Sequence, residues 1–466
     1  MIKIKKIEFN NHKIFGNKVF DFTINDNIAN TIVIIGNNGC GKTNLLKEIN
    51  KLNGQFYHLL PLKEYSVKIT ICLPDNKYFD KRTGQHLTTA EFYISDNGSK
   101  SFRFLPDVNM ARMIVDNNEN DINFLDLECI FSEADLPFKT SNKVNGITNK
   151  TIDNTKNDSN ILDIAYDITQ LFVDISSQDN ADFKDYAIEK LNNDGYTYFK
   201  PDEAPSRMSR FKNAFKYIFE NKLTFSKIEN NSIPIFKKGE STFPISSLSA
   251  GEKQVVFRGG FLLKNKNSLK GALVLIDEPE ISMHPSWEKR IFGYYRSLFA
   301  EDSCQTSQIF FATHSEYVLE EAIDTKDCLI LDISKDNTEK FYKGSGKYVF
   351  PRLLFEECRG SIFDIHTVEY HILLYAELQI LFQRGQNGKA QTIKKFDDWL
   401  INQSPNCPKK QYVFGTSNYY ALPTYIRNCI DHPDSGNQYT KEELAYSIQY
   451  MISLLKQLNS QNSSSN

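Results

Sequence analysis

The pattern of apolar and polar positions predicts β-structure in the first quarter of the chain and again beyond its middle. Six early segments show the alternation or the apolar runs typical of strands: Ile2–Phe9, Val19–Ile24, Thr31–Ile35, Val67–Leu73, Thr89–Ser95 and Phe102–Leu105. Two later runs, Ala272–Ile276 and Gln308–Ala312, are almost continuously apolar, as in parallel strands buried on both faces. The pattern therefore predicts an α/β fold whose sheet combines distant segments.

Helical spacing of apolar residues marks two segments between these strand regions and most of the tail. The two segments, Ile161–Ile175 and Ser206–Phe219, are too short for a coiled-coil arm. From near Ser361 the tail is predicted to be helical throughout. Its last helix opens on a capping box at Thr440–Glu443 and carries one apolar face: Leu444, Ile448, Met451, Ile452, Leu455 and Leu458.

Four domains or part-domains are predicted from these patterns. Residues 1–106 form the N-terminal part of a nucleotide-binding head, and residues 241–345 form its C-terminal part. Residues 107–240 form a mainly helical insert whose role the sequence leaves open. Its loop near 140–160 is rich in Asn, Lys and Thr and is predicted to be disordered. Residues 361–460 form a helical C-terminal domain.

The glycine-rich segment after the third predicted strand has the chemistry of a phosphate-binding loop. Gly36–Thr43 reads GNNGCGKT and fits the P-loop pattern G-x-x-x-x-G-K-[ST] between a strand and a helix. In such a loop backbone amides wrap the phosphates, the lysine reaches the β- and γ-phosphates, and the hydroxyl binds Mg²⁺. The predicted ligands are ATP and Mg²⁺. The predicted nucleotide contacts are Asn37, Asn38, Gly39, Cys40, Gly41, Lys42, Thr43 and Asn44.

The ends of the two later strands supply candidate catalytic groups. Asp277 follows a buried apolar run, where its carboxylate can join Thr43 in holding Mg²⁺. Glu278 is placed to orient or polarise the attacking water. His314 follows the other apolar run and is predicted to contact the γ-phosphate or that water. These residues predict an ATPase that converts ATP and water into ADP and phosphate.

Composition and charge narrow the classes of partner. A net charge of −3 and a pI of about 6.3 exclude a broadly basic surface, so nucleic acid would be bound through a local patch or through a partner. The closest two of the eight cysteines, Cys407 and Cys429, are 22 residues apart, which fits neither a C-x-x-C metal site nor a disulfide framework. No apolar run reaches the length of about 18 residues needed for a membrane span. We expect a soluble, cytoplasmic protein.

Two further motifs carry a family resemblance. Leu248–Gln254 reads LSAGEKQ and resembles the signature motif of ABC-type ATPases. Asp277–Pro285 reads DEPEISMHP and resembles the Walker B and D-loop region of the SMC, RecF and OLD-type branch. The resemblance covers roughly residues 1–105 and 240–345. It implies an ABC-type P-loop head with a mixed sheet and an antiparallel β lobe.

This resemblance also implies a site shared between two subunits. Ser249 and Gly251 of the signature motif, with Glu252 beside them, would act on the ATP held by the partner's Lys42. ATP binding would then close a head-to-head dimer or a larger homo-oligomer. The glutamine of the Q-loop has one weak candidate, Gln55.

Among such ATPases, the compact insert and the run from Gly251 to Pro285 resemble the subunits of bacterial antiphage systems. The Septu PtuA-like proteins are the most similar, with the PARIS ATPase AriA and the anticodon nuclease PrrC as relatives. The resemblance implies a regulatory ATPase that controls a separately encoded nuclease, which could be of the HNH type. No acidic cluster follows His314 that would indicate a built-in DNA nuclease. A RecF-like DNA-repair ATPase stays an alternative.

The tail offers a third reading. Arg427-Asn428 followed by His432 looks like the R-x4-6-H motif of HEPN domains, many of which are RNases. Histidine can move a proton at the ribose 2′-hydroxyl, and arginine can stabilise the charged phosphate. Arg359 and His366 fit the same spacing by chance, so the motif is weak alone. The alternatives are an ATP-gated RNase within this chain and a buried polar network that docks the tail or a partner.

Overall fold

In a computed structural model, the chain forms two compact units. Met1–Lys340 form the first unit and Phe341–Asn466 the second. The structure describes residues 2–55, 65–73, 78–80, 85–97, 99–105, 113–115, 126–127, 129–134, 164–194, 206, 208–263, 271–301, 304–334, 338–343, 349–350, 354–386, 388 and 391–463. The loop predicted near 140–160 lies outside these residues.

The first unit combines parallel and antiparallel strands with helices. Its described strands are β1 (Lys3–Asn10), β2 (Val19–Asp21), β3 (Thr23–Ile24), β4 (Asn27–Ile28), β5 (Thr31–Ile35), β6 (Gly54–Gln55), β7 (Ser66–Cys72), β8 (Tyr78–Asp80), β9 (Thr89–Ile94), β10 (Lys100–Leu105), β11 (Met113–Val115), β12 (Asp126–Leu127), β13 (Cys129–Ser132), β14 (Thr224–Glu229), β15 (Ile233–Lys238), β16 (Ser241–Pro244), β17 (Leu273–Asp277), β18 (Ala300–Glu301), β19 (Cys304–Gln305), β20 (Gln308–Ala312), β21 (Cys328–Asp332) and β22 (Glu339–Tyr342), whose last two residues belong to the second unit. Its described helices are α1 (Lys42–Asn50), α2 (Ile164–Asp194), α3 (Met208–Phe219), α4 (Ala250–Leu263), α5 (Pro285–Leu298) and α6 (Glu316–Asp324).

A six-stranded sheet forms the centre of the first unit. Its order is β13-β17-β20-β5-β21-β22, and the pairs from β13 to β21 are parallel. Every residue of β5, β17, β20 and β21 is buried, which explains their continuous apolar runs. Since the carboxyl ends of neighbouring parallel strands meet at one edge, the residues that follow β5, β17 and β20 lie side by side. The prediction of a mixed α/β fold is confirmed.

An antiparallel sheet forms a second layer of strands in the first unit. Its order is β10-β9-β7-β1-β2, and all four neighbouring pairs are antiparallel. The side chain of Gln308 at the start of β20 joins the two sheets, because it accepts from the amide of Ile4 and donates to the carbonyls of Ile4 and Ala29. The expected antiparallel β lobe is therefore present.

The middle segment differs from its prediction in two respects. The helix expected around 161–175 extends to Asp194 as α2, which has 31 residues. Its apolar periodicity stops near Ile175, but the next residues contain neither glycine nor proline to end the helix. The segment 107–240, predicted to be a mainly helical insert, also supplies strands, and β13 joins the central sheet beside β17.

The second unit packs helices around one apolar core. Its described elements are α7 (Phe355–Ile362), α8 (Val368–Gly385), α9 (Ile393–Gln403), β23 (Lys409–Phe414), β24 (Ser417–Ala421), α10 (Leu422–Asp431) and α11 (Lys441–Ser463). The capping box of α11 is confirmed, since Thr440 N donates to Glu443 Oε2 and Glu443 N donates to Thr440 Oγ1. Leu444, Ile448 and Met451 of the predicted apolar face are buried in this core.

The prediction of an all-helical C-terminal domain is wrong. β23 and β24 form an antiparallel hairpin. The sequence KKQYVF-GT-SNYYA alternates in exposure along β23, and Gly415 at the turn has a φ of 61° that suits glycine. Tyrosine, valine and phenylalanine favour strands, and the helical pattern of the surrounding tail concealed this short segment.

Candidate functional site

The loop between β5 and α1 has the backbone conformation that close approach to phosphates requires. Gly36, Gly39 and Gly41 have φ values of 144°, 80° and 102°, which only glycine adopts without strain. A Cβ added to Gly36 would lie 2.8 Å from Cys40 Sγ, and one added to Gly41 would lie 2.8 Å from Phe15. The loop shape therefore requires glycine at all three positions, and neighbouring atoms also leave no room for a side chain at Gly36 and Gly41.

The remaining predicted contact residues are Asn37, Asn38 and Cys40 in this loop and Asn44 in α1. Cys40 N donates to Asn37 O at 3.2 Å, which closes the turn. Asn37, Asn38 and Asn44 are exposed, and Cys40 is half-buried. The side chains of the three exposed asparagines can therefore reach a ligand.

Lys42 opens α1 and is 6% exposed. Its ammonium donates to the carbonyls of Gly36 at 2.8 Å and Asn37 at 3.2 Å, and it lies 3.5 Å from His314 Nδ1. Burial lowers the pKa of Lys42, although the nearby carboxylates of Glu278 and Asp277 oppose this shift. The ammonium is thus enclosed by the loop that is predicted to hold the phosphates.

Thr43 at the start of α1 meets Asp277 at the end of β17. Thr43 Oγ1 donates to Asp277 Oδ1 at 3.1 Å, although 234 positions separate the two residues. Asp277 is the last residue of β17 and is 3% exposed. Burial raises the pKa of its carboxyl, and the hydrogen bond from Thr43 partly offsets that effect. The structure therefore joins the two residues predicted to bind Mg²⁺.

Glu278 and His314 lie beside this pair. Glu278 Oε1 is 4.0 Å from His314 Nε2, and both side chains are about one-third exposed. Glu278 has a φ of 42°, and its amide donates to Ala312 O at 2.8 Å, which ties the end of β17 to the end of β20. Burial and the nearby charge of Lys42 lower the pKa of His314. At neutral pH His314 therefore presents an uncharged imidazole.

The signature motif forms the start of α4. Ser249 is exposed, and its amide and hydroxyl both donate to Glu252 Oε2 at 2.8 Å, which is a capping arrangement. Burial tends to raise the pKa of Glu252, but the hydrogen bonds from Ser249 and the charge of Lys238 hold it below its usual value. A Cβ on Gly251 would lie 3.0 Å from Ser282 O. The motif is therefore packed against the turn that follows β17.

The sequence did not reveal the role of Arg258, whose side chain fixes the backbone at the end of β17. It is fully buried, and its guanidinium donates to the carbonyls of Asp277 at 2.5 Å and Glu278 at 3.0 Å. It also donates to Ser132 and Glu133 at the end of β13. The available signal was a lone arginine in the apolar run VVFRGGFLL of α4, because buried arginines are rare unless paired.

Glu280 was also missed. Its Oε1 accepts from Thr313 Oγ1 and from the amide of His314, both at 2.8 Å. Burial raises the pKa of its carboxyl, and the hydrogen bond from the His314 amide opposes that shift. The signal was its place two residues after Glu278, within the motif DEPE.

Three other predicted residues remain, one in the first unit and two in the second. Gln55, the weak Q-loop candidate, lies in β6 and pairs with Asp126 of β12. Arg427 lies in α10, where its guanidinium donates to Asn428 Oδ1 at 2.8 Å and pairs with Asp431 at 2.5 Å. His432 follows α10, is exposed, and lies against the ring of Phe414.

These contacts bear on the open readings of the tail. A buried polar network exists at Asn428, whose amide donates to Tyr412, but exposed His432 does not belong to it. RNase roles for Arg427 and His432 stay predictions. In the second unit, the described helices pack as a bundle that includes a hairpin.

Part of the chain matches a known protein family. The family described as "AAA domain, putative AbiEii toxin, Type IV TA system" matches residues 93–320, which include the signature motif, β17 and His314. None of the curated proteins matches the chain. None of the described helices has the length and apolar character to cross a bilayer.

Several solved structures are similar at low identity. The SMC head domain from Thermotoga maritima has a TM-score of 0.35 and 14% identity, covering 73% of this chain and 98% of that one. The Smc head domain from Pyrococcus furiosus, bound to the C-terminal domain of ScpA, has a TM-score of 0.39 and 15% identity, with coverage of 79% and 100%. The recombination mediator RecF with ATP has a TM-score of 0.32 and 11% identity, with coverage of 73% and 99%. These TM-scores are too low for any of the three structures to support a conclusion about this chain.

The chain's own motifs and strand order therefore carry the fold assignment. The P-loop follows β5, the acidic pair follows β17, and the histidine follows β20, at neighbouring positions on one sheet edge. Together with the match over residues 93–320, this arrangement supports an ABC-type P-loop ATPase that uses ATP.

Proposed function

We propose that this chain hydrolyses ATP in a site completed by a second copy, and that this cycle controls a partner nuclease in a defence complex. The observation that carries the ATPase proposal is a pair of contacts at one sheet edge, Thr43 with Asp277 and Lys42 with His314. The description of the matched family as a putative toxin of a type IV toxin–antitoxin system supports the defence setting.

Mg²⁺ fits the pair formed by Thr43 and Asp277. A hydroxyl and a carboxylate oxygen 3.1 Å apart are oxygen ligands of the kind that Mg²⁺ prefers. Asp277 is buried and its pKa is raised by burial, so a cation beside it would favour the charged carboxylate. A bound Mg²⁺ would neutralise charge on the β- and γ-phosphates. Among the described residues no cluster of three or more His, Cys, Asp or Glu could hold a metal, so water and phosphate would supply its other ligands.

The side chains around this pair have separate roles in hydrolysis. Lys42 binds phosphate oxygens, which stabilises the negative charge of the transferring group. Glu278, one-third exposed beside the site, accepts a hydrogen bond from the attacking water and orients it. Since the pKa of His314 is lowered, its neutral imidazole can accept or donate a hydrogen bond without placing a second cation beside Lys42.

The second copy contributes Ser249 to the site. This residue is exposed just before α4, where the helix dipole favours an anion. In a two-fold dimer each α4 start would face the phosphates bound to the other chain. Two sites would then form together, and each would combine groups from both chains.

Mixing two inactive variants tests this arrangement. Lys42→Ala removes phosphate binding from its own chain, and Ser249→Arg blocks the signature contact from its own chain. Each variant alone should hydrolyse ATP at background rate. An equal mixture should regain roughly a quarter of the wild-type rate, since half of the dimers are mixed and each has one intact site. A mixture that stays at background contradicts the shared site.

Control of a nuclease needs a separate test. Cells that carry this chain with a nuclease encoded beside it should resist phage infection, as measured by plaque counts, and Lys42→Ala should abolish that resistance. The nuclease active-site variant is the matched control. Resistance that persists with Lys42→Ala would contradict control by ATP.

A further inference from the structure

The turn after β17 is held in one irregular conformation. Glu278 and Ser282 have φ values of 42° and 61°, which non-glycine residues rarely adopt. Met283 N donates to Glu280 O at 3.1 Å within the turn. Such conformations persist only where surrounding contacts fix them. The contacts of this turn therefore indicate which groups it positions.

Glu280 makes the contacts that join this turn to the segment after β20. Its Oε1 accepts two hydrogen bonds of 2.8 Å, one from the hydroxyl of Thr313 and one from the amide of His314. Thr313 Oγ1 in turn accepts from Ser315 N at 2.9 Å, and Ser315 is the N-cap of α6. One carboxylate oxygen therefore fixes the backbone on which the His314 side chain stands.

The geometry points to Glu280 as a positioning residue, which holds Thr313 and His314 so that the imidazole stays beside Lys42 and Glu278. This inference rests on the proposed function, because it concerns how His314 is aligned for hydrolysis. The imidazole lies 3.5 Å from Lys42 Nζ and 4.0 Å from Glu278 Oε1. A displacement of about 1 Å at such a group can reduce the rate by about a hundredfold.

The acceptor oxygen rather than the charge of Glu280 is what this role requires. Glu280 Oε2 is shielded from solvent and, in the described part of the structure, has no hydrogen-bond partner. Burial raises the pKa of this carboxyl, and a proton on Oε2 would leave Oε1 free to accept both bonds. Glu280→Gln keeps an acceptor at the Oε1 position, whereas Glu280→Ala removes it. The two variants form a matched pair.

The test compares rate and affinity in five proteins: wild type, Glu280→Gln, Glu280→Ala, His314→Ala and the double variant Glu280→Ala/His314→Ala. Glu280→Ala should lower kcat for ATP hydrolysis by between about tenfold and a hundredfold. Its Kd for ATP should change less than about threefold, because Lys42 and the loop amides keep their positions. Glu280→Gln should stay near the wild-type rate. In the His314→Ala background, Glu280→Ala should have no further effect on kcat.

The outcomes separate this inference from the proposed function. If His314→Ala is slow but Glu280→Ala hydrolyses ATP normally, or if their effects multiply, the positioning role is overturned alone. If His314→Ala hydrolyses ATP at the wild-type rate, the catalytic role of His314 fails and the inference fails with it. If Glu280→Ala does not fold, Thr313→Val removes one of the two donors and should lower kcat severalfold at unchanged affinity. A normal rate in Thr313→Val would then overturn the role.

Discussion

In the first unit, residues far apart in sequence meet at the sheet edge where ATP is proposed to bind. In the second unit, the Arg427–His432 segment contacts residues that are close to it in sequence. Thr43 bonds to Asp277, and the side chain of Lys42 lies beside that of His314, 272 positions later. By contrast, Arg427 bonds to Asn428 and Asp431 within its own helix. Reactive side chains that converge from separate segments indicate a site, while an ion pair within one helix is ordinary helix stabilisation.

The two regions also differ in what surrounds an arginine. Arg258 is fully buried and donates to carbonyls at two strand ends. The side chain of Arg427 is 28% exposed and pairs with a carboxylate that is more exposed still. The first arginine is part of the structure that holds the acidic pair, and the second can be released into solvent at little cost.

The largest effect is expected from Glu278→Gln. The amide cannot accept a proton from the attacking water, so kcat should fall by about a thousandfold, or about 4 kcal/mol. ATP binding should persist and trap a closed dimer, which sedimentation velocity with ATP would show. Asp431→Asn, which alters the acid of the other region, should leave hydrolysis unchanged. Normal hydrolysis by Glu278→Gln would show that this edge is not the catalytic one.

Replacing each arginine by methionine compares the two regions in stability. Arg258→Met leaves several carbonyls without a donor in a buried setting, so the free energy of unfolding should fall by about 3 kcal/mol. Arg427→Met should cost less than about 1 kcal/mol, because exposed ion pairs contribute little. Urea unfolding of both variants measures the difference. Equal losses in the free energy of unfolding would show that buried Arg258 stabilises the fold no more than Arg427 does.

Lys42→Ala should weaken ATP binding by about a hundredfold, or about 2.7 kcal/mol. The cause is the loss of a buried ammonium beside the phosphates. Lys51→Ala is the control, since Lys51 follows the same helix and forms an exposed pair with Glu48. Isothermal titration with ATP should show near-normal affinity for the control. Similar losses in both variants would show that overall charge, and not this position, governs binding.

Much of the first unit could be predicted because its chemistry follows buried apolar strands. The strands β5, β17 and β20 are continuous apolar runs, and a P-loop, an acidic pair and a histidine follow them. Parallel neighbours bring such ends together. Glu280 and Arg258 could not be assigned in this way, because their partners are backbone groups and hydroxyl side chains of other segments, and the sequence does not show which segments these are.

The second unit was predicted less completely. Its final helix was expected from the capping box and the apolar face, and both are present. The hairpin of β23 and β24 was missed, since five or six residues of strand character are short beside long helical patterns. The i, i+4 spacing of Arg427 and Asp431 indicates an ion pair within one helix. The R-x4-6-H pattern nevertheless directed the interpretation to His432.

A buried acid gives the second unit its own pH dependence. Burial raises the pKa of Glu357 from 4.5 to about 7, and its Oε1 accepts from Val349 N at 2.6 Å. Between these values the folded unit binds a proton that the unfolded chain has lost, so stability falls as pH rises through this window. Burial lowers the pKa of His371 to about 3, so stability falls as pH drops below 6.5.

Glu357→Gln isolates the first of these two effects, because the contribution of His371 is the same in variant and wild type. The variant keeps the acceptor for Val349 but has no charge to bury. From pH 5 to pH 8 its free energy of unfolding should rise by about 2 kcal/mol relative to wild type. Urea unfolding at the two pH values measures this change. A difference independent of pH would mean that Glu357 titrates normally in the folded unit.

The smallest effect is expected from His432→Ala. His432 is exposed at the end of α10 and lies against Phe414, so its loss should change stability by less than about 0.5 kcal/mol and ATP hydrolysis by less than about twofold. With total tRNA, wild type and variant should give the same background cleavage, with or without ATP, because the Arg427 guanidinium is already paired with Asp431. Cleavage by the wild type that His432→Ala abolishes would reverse the comparison. The Asp431 pair would then be a resting contact that RNA phosphate displaces, and the second unit would hold an active site of its own.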